Sequence, residues 1–301
     1  MDIFLSVISI YVFILLGFLA KRKLKDELQE KSLVIISIYF LQPMLTFWGL
    51  NTKSIDAALI KAPFIYVGIS ILCIIISFFL AKTFFTEPKE RSIVTISSAI
   101  GNTGNLGIPI GIAIFGQESI IYTSLINVAN VFVVYTIGIY FYSRGQFSIK
   151  ESLLNIVKLP LIWFALLALS LNLLHVEIHS SIFKSLEMGA YAAMVLQLMI
   201  FGMFLYSVKL KSLNLKLIFH VGIIKFIIIP IISIMILKSL NLDEFIVGII
   251  LLELLVPLGV TNVNLSSLYN CKPVDVTALV FFSSLFFIPY ILFIMQLFGK
   301  M

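Results

Sequence analysis

The sequence predicts an all-α polytopic membrane protein whose ten transmembrane helices form two inverted five-helix repeats, with helices 4 and 9 broken where they cross. Three observations predict it. The apolar residues fall into blocks of roughly 18 to 25, the length an α-helix needs to cross about 30 Å of hydrocarbon. Of the 301 residues 60% are hydrophobic and only 12% charged, against about 25% charged in soluble domains. Two blocks carry Gly, Pro and amide side chains at their centres, with Pro109 and Pro257 lying 148 residues apart, about half the chain.

Charges punctuate the hydropathy into ten spans. The first, residues 3–20, ends on Lys21, Arg22 and Lys23, and lacks the basic leader and small-residue cleavage site of a secretory signal, so it is read as retained. The second, 33–50, contains Gln42 and Pro43, and the third covers 63–84. The fourth, 92–115, is interrupted by "IGNTGNLGIPIG". The fifth, 119–142, carries Asn127 and Asn130 three residues apart on one face, and the sixth covers 155–174. The seventh, 186–207, holds Gln197, and the eighth, 216–238, holds Lys225. The ninth, 244–268, is interrupted by "VPLGVTNVN", and the tenth covers 275–298. Transmembrane β-strands would instead alternate over segments of about 10 residues. All connections are short, which leaves two units, residues 1–142 and 143–301. Five crossings per unit is an odd number, so the second unit is expected to run upside-down relative to the first.

Orientation is expected from the basic residues. Fifteen of the 21 fall in odd-numbered loops: Lys21, Arg22, Lys23, Lys25, Lys31, Lys82, Lys89, Arg91, Arg144, Lys150, Lys158, Lys209, Lys211, Lys216 and Lys272. Positive charge stays cytoplasmic, which places both termini outside a cytoplasmic membrane. The net charge of +6 is thereby a matter of topology, and no nucleic-acid partner is needed to account for it. A lipid bilayer is the expected surrounding, and a homodimer stays open.

The breaks carry the chemistry. In the fourth span Gly101, Asn102, Thr103, Gly104, Asn105, Gly107 and Pro109 unwind a helix at mid-membrane, which exposes carbonyls on one side and N–H groups on the other. The positive end of the second half-helix can then meet an anion. Pro109 suits the first turn of that half-helix, where its missing N–H has no intrahelical partner. Gly107 and Gly111 also fit close GxxxG packing, but packing alone does not call for Asn102, Thr103 and Asn105. The GxxGxxG spacing is not a phosphate loop. The ninth span repeats the chemistry with Pro257, Gly259, Thr261, Asn262 and Asn264. Paired broken helices in inverted halves point to a secondary transporter with its site at the midplane.

Glu253, one turn before Pro257, is the one carboxylate deep inside a span. It reads either as a proton-coupling group or as an ion pair with Lys225, the lone basic residue within a span. Lys225 could equally neutralise a bound carboxylate or snorkel. Asn127 and Asn130 read as site lining or as interhelical hydrogen bonds, and Gln42 and Gln197 are weaker candidates of the same kind. His175, Glu177 and His179 have the order HxExH rather than HExxH and no evident third ligand, so no metal site is expected. Cys73 and Cys271 have no CxxC spacing. No Ser, His and Asp set appears, and no enzyme activity or cofactor is expected.

"AIGNTGNLGIPIG" resembles the fourth-helix motif of the auxin efflux carrier family, and "LLELLVPLGVTNVNLSSLY" is similar to that family's ninth-helix motif. "FLQPMLTF" and "IIKFIIIP" also fit, and the resemblance covers the whole chain. It implies a fold like the bile-acid sodium symporter and sodium/proton antiporter group, with a panel domain from helices 1, 2, 6 and 7 and a core domain from helices 3–5 and 8–10. It implies alternating access at a crossover of helices 4 and 9, and a small organic anion as substrate: auxin in plants, dicarboxylates such as malate or malonate for some bacterial members. Carried across by motif, the site is Asn102, Thr103, Gly104, Pro109, Pro257, Thr261 and Asn262. The short connection after span five, without the long loop of many plant carriers, points to a compact permease of prokaryotic type. Coupling to a proton or to sodium stays open. The rivals are a cation-coupled symporter or antiporter of the same fold and a non-transporting membrane sensor.

Overall fold

Hydrocarbon offers no partner to a backbone N–H or C=O, so a chain this apolar must close its hydrogen bonds within its own segments. In the computed structural model, which describes residues 2–55, 57–143, 157–206 and 213–297, the described residues form helices and no strand. The helices are α1 (Asp2–Leu24), α2 (Glu30–Gly49), α3 (Ala57–Phe84), α4 (Pro88–Ile96), α5 (Thr103–Phe115) and α6 (Ser119–Tyr142). They continue with α7 (Pro160–Leu173), α8 (Ser180–Tyr206), α9 (Leu215–Ser239), α10 (Glu244–Leu255), α11 (Thr261–Leu268) and α12 (Pro273–Leu297).

Among the described residues six are long and apolar enough to cross a membrane: α2, α6, α8 and α9, with Leu59–Phe84 of α3 and Pro273–Ile291 of α12. They fall on the second, third, fifth, seventh, eighth and tenth expected spans. The fourth expected span is divided into α4 and α5 and the ninth into α10 and α11, with non-helical backbone between. Asp56, Arg144, Lys150, Lys209, Lys211 and Lys300, together with most of the connection after the fifth span, lie outside the described residues. The stretch from His175 to His179 is not helical, so its two histidines do not share a helix face.

Three of the prolines inside the described helices, unlike Pro63 of α3 and Pro289 of α12, are met in the same way. A proline ring clashes with the carbonyl four residues earlier and leaves it without a donor. Just before Pro43, Pro109 and Pro230 the helix widens into a π-turn, at Ser37–Leu41, Thr103–Gly107 and Ile224–Ile228 respectively. The wider turn moves that carbonyl out of the ring's way. The same turns carry or adjoin Gln42, Thr103 and Lys225, so the sites of relief are also where polar side chains enter the interior.

Two sets of helix contacts stand out, joined to each other where α1 and α8 meet α5 and where α2 meets α6. α8 lies along α1 and α2, and α7 packs on α2. α3 packs on α4, α6 and α10, while α9 meets α10 and α12, and α11 meets α12. Buried Asn172 of α7 pins the chain after α2, donating to Leu50 O and Lys53 O at 2.8 Å each and accepting from Ile55 N at 2.9 Å. In the second group Lys272, between α11 and α12, donates to Glu90 at 2.7 Å and to Glu87, and Asn214 donates to Glu90 at 2.8 Å. Burial alone would lower the Lys272 ammonium, but its hydrogen bonds and charge pairing with Glu87 and Glu90 outweigh it and raise it above the ordinary lysine range.

The α1–α8 contact depends on two glycines. A Cβ on Gly17 would overlap the Met199 carbonyl, and one on Gly202 would overlap the Ile14 carbonyl. Both obstacles are backbone and cannot step aside. Gly202→Val is therefore expected to destabilise by at least about 1–3 kcal/mol, the usual cost of overpacking. Thermal unfolding in detergent followed by intrinsic fluorescence checks this, and an unchanged midpoint would contradict the close approach.

Candidate functional site

Two helices interrupted inside an apolar core leave open backbone that has to be paired. Here the two interruptions pair with each other. Gly101 and Leu258 form an isolated antiparallel bridge, in which Asn102 N donates to Pro257 O and Gly259 N donates to Ile100 O, both at 2.9 Å. The approach is close enough that a Cβ on Gly259 would stand 3.0 Å from Gly101 O. Side chains complete the pairing. Asn262 Nδ2 donates to Ile100 O at 2.9 Å and Gly259 O at 3.0 Å, while its Oδ1 accepts from Tyr142 Oη at 2.9 Å. Ser283 of α12 accepts from Leu258 N at 3.1 Å.

Lys225 is 1% exposed and serves the same junction from the other side. Its Nζ donates to Ser98 O at 3.1 Å and Leu254 O at 2.9 Å. Ser98 follows the end of α4 and Leu254 lies in the last turn of α10. A cation is thus placed at the negative ends of both first half-helices, where the helix dipole favours it. Lys225 and Glu253 form no ion pair among the described residues. Glu253 is fully buried, neither carboxylate oxygen has a hydrogen-bond partner, and a Cβ on Gly107 would overlap it.

The opposite ends of the second half-helices face a cavity of about 110 Å³. Asn102, Thr103, Gly104 and Asn105 line it from the start of α5, and Val260, Thr261 and Asn264 from the start of α11. Both positive helix ends face one space: at α5 the bonds to Asn102 O begin only at Leu106 N and Gly107 N, whereas at α11 Asn262 N and Val263 N already donate to Gly259 O and Val260 O. Asn127, Asn130, Gln42 and Gln197 complete the polar lining, and Leu161, Ile200 and Phe204 are among the apolar part. No lining residue is charged.

The lining is itself hydrogen-bonded. Tyr66 Oη donates to Asn130 Oδ1 at 3.1 Å, Asn130 Nδ2 donates to Thr103 Oγ1 at 3.0 Å, and Thr103 Oγ1 donates to Asn127 Oδ1 at 2.8 Å. Asn130 also reaches Gly101 O at 3.3 Å, and Gln42 donates to Asn105 Oδ1 at 3.2 Å. Gln197 donates to Ser37 Oγ. Asn102 differs from all of these: it is 4% exposed and its Nδ2 has no partner.

Of the residues expected from the sequence, the cavity gathers Asn102, Thr103, Gly104, Asn105, Asn127, Asn130 and Thr261. Pro109, Pro257, Asn262, Lys225 and Glu253 do not line it. Helical geometry resumes at Thr103, six residues before Pro109, because the π-turn makes room for the ring further along. Sequence reasoning missed Tyr66, Tyr142 and Ser283, which hold the breaks from other helices. The two tyrosines carried a usable signal, since a buried Tyr hydroxyl usually finds a polar partner.

Comparison with known proteins adds a family. The family described as membrane transport protein matches residues 2–152 and 146–295. An uncharacterized transporter of Methanocaldococcus jannaschii is 24% identical over 292 residues, covering 93% of this chain and 94% of the relative. An uncharacterized transporter of Schizosaccharomyces pombe is 37% identical over 93 residues, 29% of this chain and 20% of the relative.

Lys225→Met would leave two helix-end carbonyls without its ammonium, and Asn262→Ala would leave the Tyr142 hydroxyl unpaired and take one of two donors from each of Ile100 O and Gly259 O. Each unsatisfied buried group costs about 1–3 kcal/mol, so both variants are expected to unfold at distinctly lower temperature than Asn102→Ala, whose Nδ2 has no partner to lose. Equal midpoints for all three, by thermal denaturation in detergent, would contradict this division between supporting and lining residues.

Proposed function

Because the chain belongs to the membrane transport protein family, the auxin efflux carrier family that its motifs resemble, we propose that it carries a small organic anion across the cytoplasmic membrane by alternating access at the paired helix breaks. That it is a multi-pass membrane transport protein follows from the family and the apolar helices. The observation that carries the substrate class is the cavity at the junction. Two helix N-termini face it, and Asn102, whose buried Nδ2 has no hydrogen-bond partner, is part of its lining. The one buried ammonium, Lys225, sits at the C-terminal ends instead, where it neutralises the opposite pole of the same half-helices.

Size and chemistry narrow the anion. A cavity of about 110 Å³ is several times the roughly 30 Å³ share of a water molecule and below the ~300–1,000 Å³ of drug-sized pockets. This favours a compact mono- or dicarboxylate such as malonate or malate over an indole carboxylate. Amide donors and helix N-termini suit a carboxylate, which accepts several hydrogen bonds and needs no full counter-charge beside it.

The ten-span, five-plus-five inverted arrangement is part of this reading, with α4 and α5 as one broken span and α10 and α11 as the other. It is supported by the bridge between the breaks and by Pro109 and Pro257 lying half a chain apart. The grouping of α1, α2, α7 and α8 supports a panel against which the remaining helices move as a core. The excess of basic residues in odd-numbered loops supports termini outside.

Uptake of labelled malonate, malate, succinate and an indole carboxylate into proteoliposomes tests the reading, with saturable uptake of at least one dicarboxylate expected. Hydrogen bonds to charged groups contribute about 1.5–3 kcal/mol, so Asn102→Ala is expected to weaken apparent affinity by about tenfold or more. Folded protein that moves no carboxylate, or an Asn102→Ala variant with unchanged affinity, would overturn it.

A further inference from the structure

Glu253 stands out as a buried group that the anion site does not use. It is fully enclosed, both carboxylate oxygens lack hydrogen-bond partners, and no described cation lies within ion-pairing distance. An ionised carboxylate in such surroundings is strongly disfavoured, so the position is one where a proton is held and exchanged. The carboxyl group fills the space left by the missing side chain of Gly107. Gly107 closes the same π-turn whose opening residues, Thr103 to Asn105, line the anion cavity. Along that turn the separation is only roughly 6 Å, at about 1.5 Å per residue.

We propose that Glu253 binds an exchangeable proton that moves together with the anion, making the protein a proton–carboxylate symporter. The inference rests on the anion-carrier reading. An anion in the cavity and an ionised Glu253 would set two like charges on either side of one helix turn, in a medium that screens them poorly. Anion binding therefore favours the protonated acid, and by reciprocity a proton on Glu253 favours anion binding by the same factor. When the anion leaves, the proton passes from the acid to water in the emptied cavity.

The groups around the acid support this assignment. From the helices packed on α10, α9 contributes buried Lys225 and α3 buried Tyr66 and Cys73. The Lys225 ammonium is engaged by Ser98 O and Leu254 O, and Tyr66 by Asn130. From α6 comes Tyr122, whose ring packs on Phe245 near the start of α10. α5 contributes no titratable residue. A proton on Glu253 is thus free to follow the occupancy of the cavity rather than a fixed internal partner.

Proteoliposomes loaded with unlabelled malonate separate the two claims. Counterflow of labelled malonate needs no net proton movement and reports the carrier, while accumulation driven by an alkaline interior reports the coupling. Wild type is expected to show both. Glu253→Gln, isosteric and unable to ionise, is expected to keep counterflow within a few-fold and to lose gradient-driven accumulation. In weakly buffered detergent solution, malonate is further expected to draw protons onto wild-type protein at neutral to alkaline pH, a readout that does not depend on the variant folding. Undiminished accumulation by Glu253→Gln, or malonate binding without proton uptake by wild type, would overturn the proton site alone. Absence of counterflow in wild type would overturn the carrier reading and the symport with it.

Discussion

A buried backbone that leaves its helix must find another partner, and the rest of this structure depends on how that demand is met. The two breaks satisfy each other through the Gly101–Leu258 bridge, at a separation only glycines allow. What the bridge leaves over is taken by Asn262 of α11 itself and by Ser283 and Lys225 from two further helices, α12 and α9. The junction is thereby rigid where it would otherwise be the weakest point of the chain. Its polar groups are shielded from lipid by being spent on one another.

That pairing sorts charge without a charged binding residue. The carbonyl-rich ends of α4 and α10 are gathered on one side and met by the Lys225 ammonium. The N–H-rich starts of α5 and α11 open on the other, into the cavity. In the proposed carrier the anion preference would belong to backbone direction, with the side chains of the lining tuning shape and hydrogen bonding. Asn102 and Asn262 show the difference between the two jobs: one amide is unpartnered at the cavity, while the other is committed to two carbonyls and a tyrosine.

Much of this was legible in the sequence, because a helix breaker inside an apolar block has few explanations. Residues 100–111 and 256–264 announced the breaks, their spacing announced a relation between them, and Asn102 to Asn105 were found at the cavity as expected. The partners were not legible. Tyr66, Tyr142 and Ser283 lie far from the motifs in sequence, and only tertiary packing brings them to the junction. Lys225 invited a reading as a ligand or an ion-pair partner, since charge pairs with charge in one dimension; in three dimensions helix-end carbonyls reach it first. Pro109 stands in the first turn of the α-helical stretch Ile108–Phe115, and the π-turn Thr103–Gly107 that carries the helix back to the cavity was not legible.

The central claim is that a small carboxylate sits between the starts of α5 and α11. Determining the structure of the protein in lipid with bound malonate tests it most directly. The account predicts a carboxylate in the cavity within hydrogen-bonding reach of Asn102, the first-turn amides of α5 and Thr261 at the start of α11. Malonate found elsewhere, for example in the cleft at Lys53 and His175, with the cavity at the junction empty, would contradict it.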